Sequence, residues 1–221
     1  MFLQLPNLLT DPEIARLQQL AGELNFQDGR LSNPANVTKD NLQADASDPR
    51  YAESSQMVSA AFGRSREFRD FAFPRRMAPP MLTRYEPGMK YGPHADVPHM
   101  TIGNTSLRSD LSATVFLSHP STYEGGELVI HLGTHPVVMK GLPGQVVVYP
   151  STTLHEVRPV TSGARLVAIT FIESMIPDEN HRGMVYELNE IAAMEGGNMR
   201  WENRARLETV RYNLTRMWTR S

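Results

Sequence analysis

The sequence contains no cysteine, which excludes disulfides, zinc–thiolate sites and iron–sulfur clusters and leaves only nitrogen and oxygen donors for any metal. No apolar run approaches the ~20 residues that a spanning helix needs. The start, MFLQLPNLLTDPE, has neither a basic leader nor a small-residue cleavage site, so the chain reads as a soluble, cytoplasmic protein with no membrane partner. An excess of one charge is also missing. With 22 Lys and Arg against 24 Asp and Glu the net charge is -2, which argues against a chain-wide footprint for nucleic acid.

The 221 residues suffice for one domain with a substantial core and a modest appendage. Thr10 ahead of Asp11, Pro12 and Glu13 reads as a capped helix start, and Ile14, Leu17, Leu20 and Leu24 continue it at helical spacing. Asp28 to Ala46 is polar and reads as loop or irregular strand, and a second helix is expected from Pro49 to about Phe62. From Met81 the pattern turns to short β-rich runs, MLTRY, LSATVFL, ELVIHL, PVVM, QVVVY and RLVAITFI, divided by Gly- and Pro-bearing turns. That cadence predicts an antiparallel sandwich or barrel. Gly125-Gly126 is expected to close a hairpin. After Pro177, a helix capped by Asp178 carries Met184, Leu188, Ile191 and Met194 on one face. Gly196-Gly197 breaks it, and a last helix carries Leu207, Val210, Leu214 and Trp218. We divide the chain into a main domain, 1–177, and a helical appendage, 178–221. The appendage is expected to be an antiparallel pair covering one sheet face, with a homodimer contact as the sharper alternative.

The chemistry concentrates in RYEPGMKYGPHAD, where His94 and Asp96 stand two apart after a strand and turn. On extended backbone, side chains two apart point the same way, so an imidazole and a carboxylate share one metal edge. His155, in YPSTTLHEVRPV, is the candidate third ligand, and two His with one carboxylate make the facial triad of non-haem iron oxygenases. Arg165 follows on the next strand. A buried guanidinium there needs a carboxylate, and no acid nearby in sequence clearly supplies one, so an anionic ligand is the expected partner. His99 reads as a solvated loop residue or substrate contact, and His119, His131, His135 and His181 as surface or structural.

RYEPGMKYGPHAD, RSDLSATVFLS, YEGGELVI and YPSTTLHEVRPVTSGARLVAITFI with the following ESMI occur in the order seen in a known family. The chain resembles bacterial prolyl-4-hydroxylase-type iron and 2-oxoglutarate dioxygenases, and within them the PKHD-type hydroxylases associated with iron uptake, over nearly its whole length. The resemblance implies an α+β, mainly β fold, a double-stranded β-helix or distorted jelly roll with flanking N-terminal helices and a C-terminal helix pair. It implies Fe(II) on His94, Asp96 and His155, and 2-oxoglutarate with its distal carboxylate on Arg165 and Tyr85. The resemblance also brings in L-ascorbate as an accessory reductant to be expected. Some relatives carry a second tyrosine where Phe116 stands, which leaves Thr114 or Tyr91 as substitutes. The implied reaction hydroxylates a substrate with dioxygen while 2-oxoglutarate becomes succinate and carbon dioxide. A peptidyl substrate stands slightly ahead of a small molecule such as an iron-chelating metabolite, and Asn33 to Gln43 and Val97 to Arg108 are the segments expected over the mouth. The rival readings are a zinc hydrolase on the same three ligands and a catalytically silent sensor of iron or 2-oxoglutarate on the same fold.

Overall fold

The computed structural model describes residues 1–220. All six strand-like runs form strands, and every strand pairing is antiparallel. The larger sheet has eight strands. Leu111–Phe116 and Arg165–Ser174 run side by side at its centre, flanked by Val146–Pro150 and Met81–Tyr85. A five-stranded sheet runs His135–Met139, Leu128–Leu132, His155–Val157, Lys90–His94 and Lys39–Asp40.

The central strands are buried on both faces, and the period of two sorts their residues into two cores. Leu111, Ala113, Val115, Val146, Val148, Leu166, Ala168 and Ile172 join Leu17, Leu20, Phe62, Phe68 and Phe71 of the N-terminal helices. These helices are α1, Asp11–Glu23, α2, Tyr51–Arg64, and α3, Arg66–Ala72. The alternate residues Phe116, Val147, Tyr149, Val167 and Tyr85 meet Leu128, Ile130, Met139 and Val157 of the smaller sheet. The result is a distorted jelly roll with helices on one outer face. Each fully buried Leu, Ile or Phe contributes about 1.5–3 kcal/mol.

Local chemistry explains the helix ends. The Thr10 backbone N–H donates to Glu13 at 2.8 Å, the expected box at the start of α1, and Arg64 of α2 clamps the same carboxylate at 2.7 Å. The second helix begins two residues later than the sequence suggested. α3, which follows it, was not foreseen, because it has only seven residues and its cap, Ser65, lies between two helical patterns. The polar stretch from Asp28 contains two short strands: Lys39–Asp40 forms the edge of the smaller sheet, and Leu42–Ala44 joins the larger one between Met81–Tyr85 and the edge strand Phe26–Asp28.

Two expectations are corrected. Gly125 and Gly126 do not close a hairpin. Tyr123–Gly125 pairs with Val160–Gly163, and Leu128–Leu132 lies in the five-stranded sheet, so the glycines turn a corner between sheets. Both have positive φ, and a Cβ on Gly126 would stand 3.0 Å from the Arg165 side chain, a close approach that only glycine permits. The C-terminal helices α4, Glu179–Glu195, and α5, Trp201–Trp218, do form an antiparallel pair, with His181 stacked on Trp218 at 4.1 Å. They do not lie on a sheet face. α4 packs on α3 through an edge contact of Tyr186 with Phe71 and buries Val185, while Met184, Ile191 and Met194 of α4 and Val210 of α5 are exposed. Met184, Ile191 and Met194 share one face of α4, while α3 meets the adjacent stripe. No helix among the described residues is long and apolar enough to cross a membrane.

Candidate metal centre and the cavity around it

His94 ends the strand Lys90–His94 and His155 begins His155–Val157. The strands are neighbours, and the two histidines are register partners, which sets their ring centroids 4.3 Å apart. Asp96 follows two residues after His94, and its backbone N–H donates to the Ser151 carbonyl at 3.1 Å, which turns its carboxylate toward the same point. Among the described residues these three form the one cluster of His, Asp and Glu whose donor atoms converge, all within 4.8 Å of one another.

The donor set fits a divalent ion. His94 Nδ1 donates to the Gly92 carbonyl at 2.8 Å and His155 Nδ1 to the Thr153 carbonyl at 2.9 Å, so in each ring Nε2 faces the cluster with its lone pair. Nε2 of His94 lies 3.7 Å from Asp96 Oδ1, and Nε2 of His155 lies 3.6 Å from Asp96 Oδ2. These gaps are too long for direct hydrogen bonds, yet two metal bonds of about 2.1 Å span them. A chain of buried hydroxyls supports the carboxylate: Ser112 donates to Asp96, and the Ser112, Ser151 and Ser109 hydroxyls follow one another at 2.7 and 2.8 Å. Burial pushes the Asp96 carboxyl up, but the neighbouring imidazoles and the Ser112 hydroxyl outweigh it and hold the group below its ordinary value. Burial lowers the His155 pKa, which favours the neutral ring that a metal requires.

These groups open on a cavity of about 570 Å³. Its wall also includes Arg165, which is 1% exposed, because position 165 has the inward parity of its strand. The Arg165 Nε is buried with no hydrogen-bond partner, and among the described residues no carboxylate lies within 4.0 Å of its guanidinium. Tyr85 is its register partner, with the guanidinium carbon 5.1 Å from the ring centroid. The Asn41 amide donates to the Tyr85 hydroxyl at 2.9 Å, which leaves that hydroxyl's own proton free to donate. Asn41 packs so closely on Gly29 that a Cβ there would overlap its amide oxygen. Phe116 lies on the other side of the guanidinium, 5.9 Å away.

All five residues singled out in the sequence therefore line one cavity. Both segments expected at the mouth contribute to it, through Asn33, Lys39, Asn41 and Gln43 and through Val97, His99, Met100 and Thr101. His99 is exposed and stands outside the metal cluster, as do His119, His131, His135 and His181. Of the two substitutes for a second tyrosine, Tyr91 stacks on His94 at 3.6 Å and accepts from Asn33, while Thr114 faces the cavity. Sequence reasoning missed Ser109, Ser112, Ser151, Asn41 and Lys39. A signal existed for Ser112, a polar residue at an inward position of a wholly buried strand. Lys39 and Asn41 fall in a segment expected at the mouth, but nothing in the sequence marked either residue within it.

The likeness to known proteins agrees with this geometry. Residues 80–173, which include all five positions, match the 2OG-Fe(II) oxygenase superfamily. A PKHD-type hydroxylase of Sphingopyxis alaskensis is 49% identical over 98% of this chain and 99% of its own length. One from Cupriavidus metallidurans is 39% identical over 86% of this chain and 85% of its own. Among solved structures, a prolyl hydroxylase from Trichoplax adhaerens, in complex with a hypoxia inducible factor oxygen degradation domain peptide fragment, shares the fold. Its TM-score is 0.62 at 17% identity, over 83% of this chain and 86% of that one. Fe(II) and 2-oxoglutarate are the reagents this family implies, and an identity of this extent over the full length leaves neither the zinc hydrolase nor the silent sensor favoured: the chain belongs to the PKHD-type hydroxylases and is a 2-oxoglutarate-dependent dioxygenase.

Proposed function

We propose that His94, Asp96 and His155 hold the iron, that Arg165 and Tyr85 hold the distal carboxylate of 2-oxoglutarate, and that the product is a hydroxylated peptide or small molecule. The observation that carries the reading is one cavity lined both by a converging metal-donor set and by a buried guanidinium with no carboxylate beside it among the described residues. When bound, Fe(II) with 2-oxoglutarate supplies the activation of dioxygen and the coupling of cosubstrate decarboxylation to hydroxylation.

The chain's own residues supply positioning. Gly92 and Thr153 carbonyls fix the two imidazoles with Nε2 inward, and the Ser112 hydroxyl fixes the carboxylate. Arg165 presents a planar fork that suits both oxygens of one carboxylate, and Tyr85, held by Asn41, donates its free proton to the same group. Thr114 and Tyr149 add hydroxyls to the cavity lining. The apolar walls from Leu128, Val157 and Ile169 exclude bulk water, which strengthens each of these contacts. A peptidyl substrate is favoured slightly by the open mouth between two polar segments and by the peptide in the complex of the Trichoplax relative. L-ascorbate belongs to the reading as an accessory that keeps iron reduced.

Anaerobic titration of the metal-free protein with Fe(II) and then 2-oxoglutarate tests the assignment. A weak visible charge-transfer band is expected, and its loss in His155→Ala. Iron binding without a band would remove chelation by 2-oxoglutarate.

A further inference from the structure

The cavity holds a second cation to which the reading above gives no task. Lys39 lies on the short strand Lys39–Asp40, in register with Tyr91, and is 5% exposed. Its ammonium donates to the Ser32 hydroxyl at 2.5 Å and stands 5.4 Å from the centroid of the Tyr91 ring, the ring that stacks on His94. No carboxylate among the described residues lies within 4.0 Å of it. The two acids whose fields reach Lys39 are engaged elsewhere, Asp96 with the imidazoles and Ser112, and Asp28 with Arg30. Burial lowers its pKa to about 8, so it remains mostly charged at neutral pH.

A lysine is seldom buried this deeply without an anion, because an unpaired charge in a low-dielectric site is costly. The balance of charge in the loaded cavity shows what is missing. The ion's two positive charges match the two carboxylates of 2-oxoglutarate, and Arg165 matches Asp96. Lys39 alone is uncompensated. One donor of its ammonium is used on Ser32, and two remain.

We propose that Lys39 is a specificity-determining residue that recognises a carboxylate on the substrate. The inference rests on the assignment of this cavity as the active site. A single carboxylate cancels the residual charge and accepts both free donors, whereas a phosphate brings up to two negative charges at neutral pH and overshoots. The substrate is then an acid, such as a free amino acid derivative or the end of a peptide, held by its carboxylate beside the metal centre.

The test uses Zn(II)-loaded full-length protein saturated with 2-oxoglutarate, so that no turnover intervenes. Matched N-acetyl amino acids and their carboxamides, covering each class of side chain, are titrated by calorimetry. At least one acid is expected to bind at least about tenfold tighter than its amide, as loss of a charge-assisted hydrogen bond implies. Lys39→Met should abolish that preference, Lys39→Arg should retain part of it, and Lys39→Gln, which keeps a donor for Ser32, guards against a folding defect in the Met variant. Equal binding of acids and amides, no binding by any acid, or a preference that survives Lys39→Met would overturn the proposal. Weakened 2-oxoglutarate binding in Lys39→Met and Lys39→Gln would reassign the lysine to the cosubstrate. If the wild-type protein bound no 2-oxoglutarate, the reading of the cavity would fail instead.

Discussion

The strand Leu111–Phe116 is buried at every position, yet its two faces do different work. Leu111, Ala113 and Val115 belong to the apolar cluster built with the helices and neighbouring strands. On the opposite face Ser112 donates to Asp96, Thr114 lines the cavity and Phe116 lies beside the Arg165 guanidinium. Burial by itself therefore does not separate support from chemistry. The separation lies in polar groups aimed at the cavity, which one face of this strand carries and its helix face lacks, with one guanidinium nitrogen nearby still without a partner among the described residues. Because the period is two, a register slip of one residue would exchange the faces and destroy both.

The comparison can be broken most severely at the metal. His94→Ala, Asp96→Ala or His155→Ala should each reduce iron-dependent turnover to background, while circular dichroism and the thermal midpoint stay near wild type, since none of the three belongs to either apolar core. Unfolding in any of them would mean that the cavity face also supports the fold. Arg165→Ala should raise the 2-oxoglutarate Kd roughly a hundredfold, from the loss of two charge-assisted hydrogen bonds at about 1.5 kcal/mol each, with metal affinity kept. A normal cosubstrate Kd would take Arg165 out of the site.

Adjacent residues of one strand sharpen the contrast. Ser112→Ala should weaken metal affinity by roughly 10–100-fold with little change in stability, as expected for a group that orients a ligand. Leu111→Ala should do the reverse, costing about 2–5 kcal/mol in chemical denaturation and leaving metal affinity unchanged in the folded fraction. Parallel losses in both variants would erase the distinction between faces. The smallest effect concerns a carboxylate on the helix side. Asp48 accepts from the Arg50 guanidinium and from the Asn25 and Arg50 backbone N–H groups, each of the latter at 3.0 Å, which hold it well below the usual carboxylate range. A depressed folded pKa adds stability that is fully present above the unfolded value of about 3.9 and is lost as pH falls through the folded value. The gap in thermal midpoint between wild type and Asp48→Asn should therefore be widest at neutral pH and close in acid. A gap independent of pH would assign the role of Asp48 to geometry alone.

Legibility followed the range of the interactions. The six main strands and the capped start of α1 were readable because alternation and capping act between residues a few positions apart. The short α3 and the Gly125-Gly126 corner were not, since each answers to a distant partner: α4 for the first, the Val160–Gly163 strand for the second. In the site, His94 and Asp96 were visible as a pair two apart. His155 and Arg165 emerged from their position after recognisable strands and from the order of whole motifs. The serine chain and Asn41 were hidden, because a hydroxyl or amide takes its meaning from the groups that face it.

What the sequence determined alone was thus the reaction class, the donor types and the alternation that sends odd and even positions of each central strand to opposite sides. Only the tertiary structure decided that His94 and His155 are register partners, that Arg165 has no carboxylate beside it among the described residues, and that Lys39, far from both in the chain, is buried beside the Tyr91 ring. The physical reason is that alternation and donor chemistry are local properties of the chain. Whether a buried charge has a partner depends on every element that folds around it.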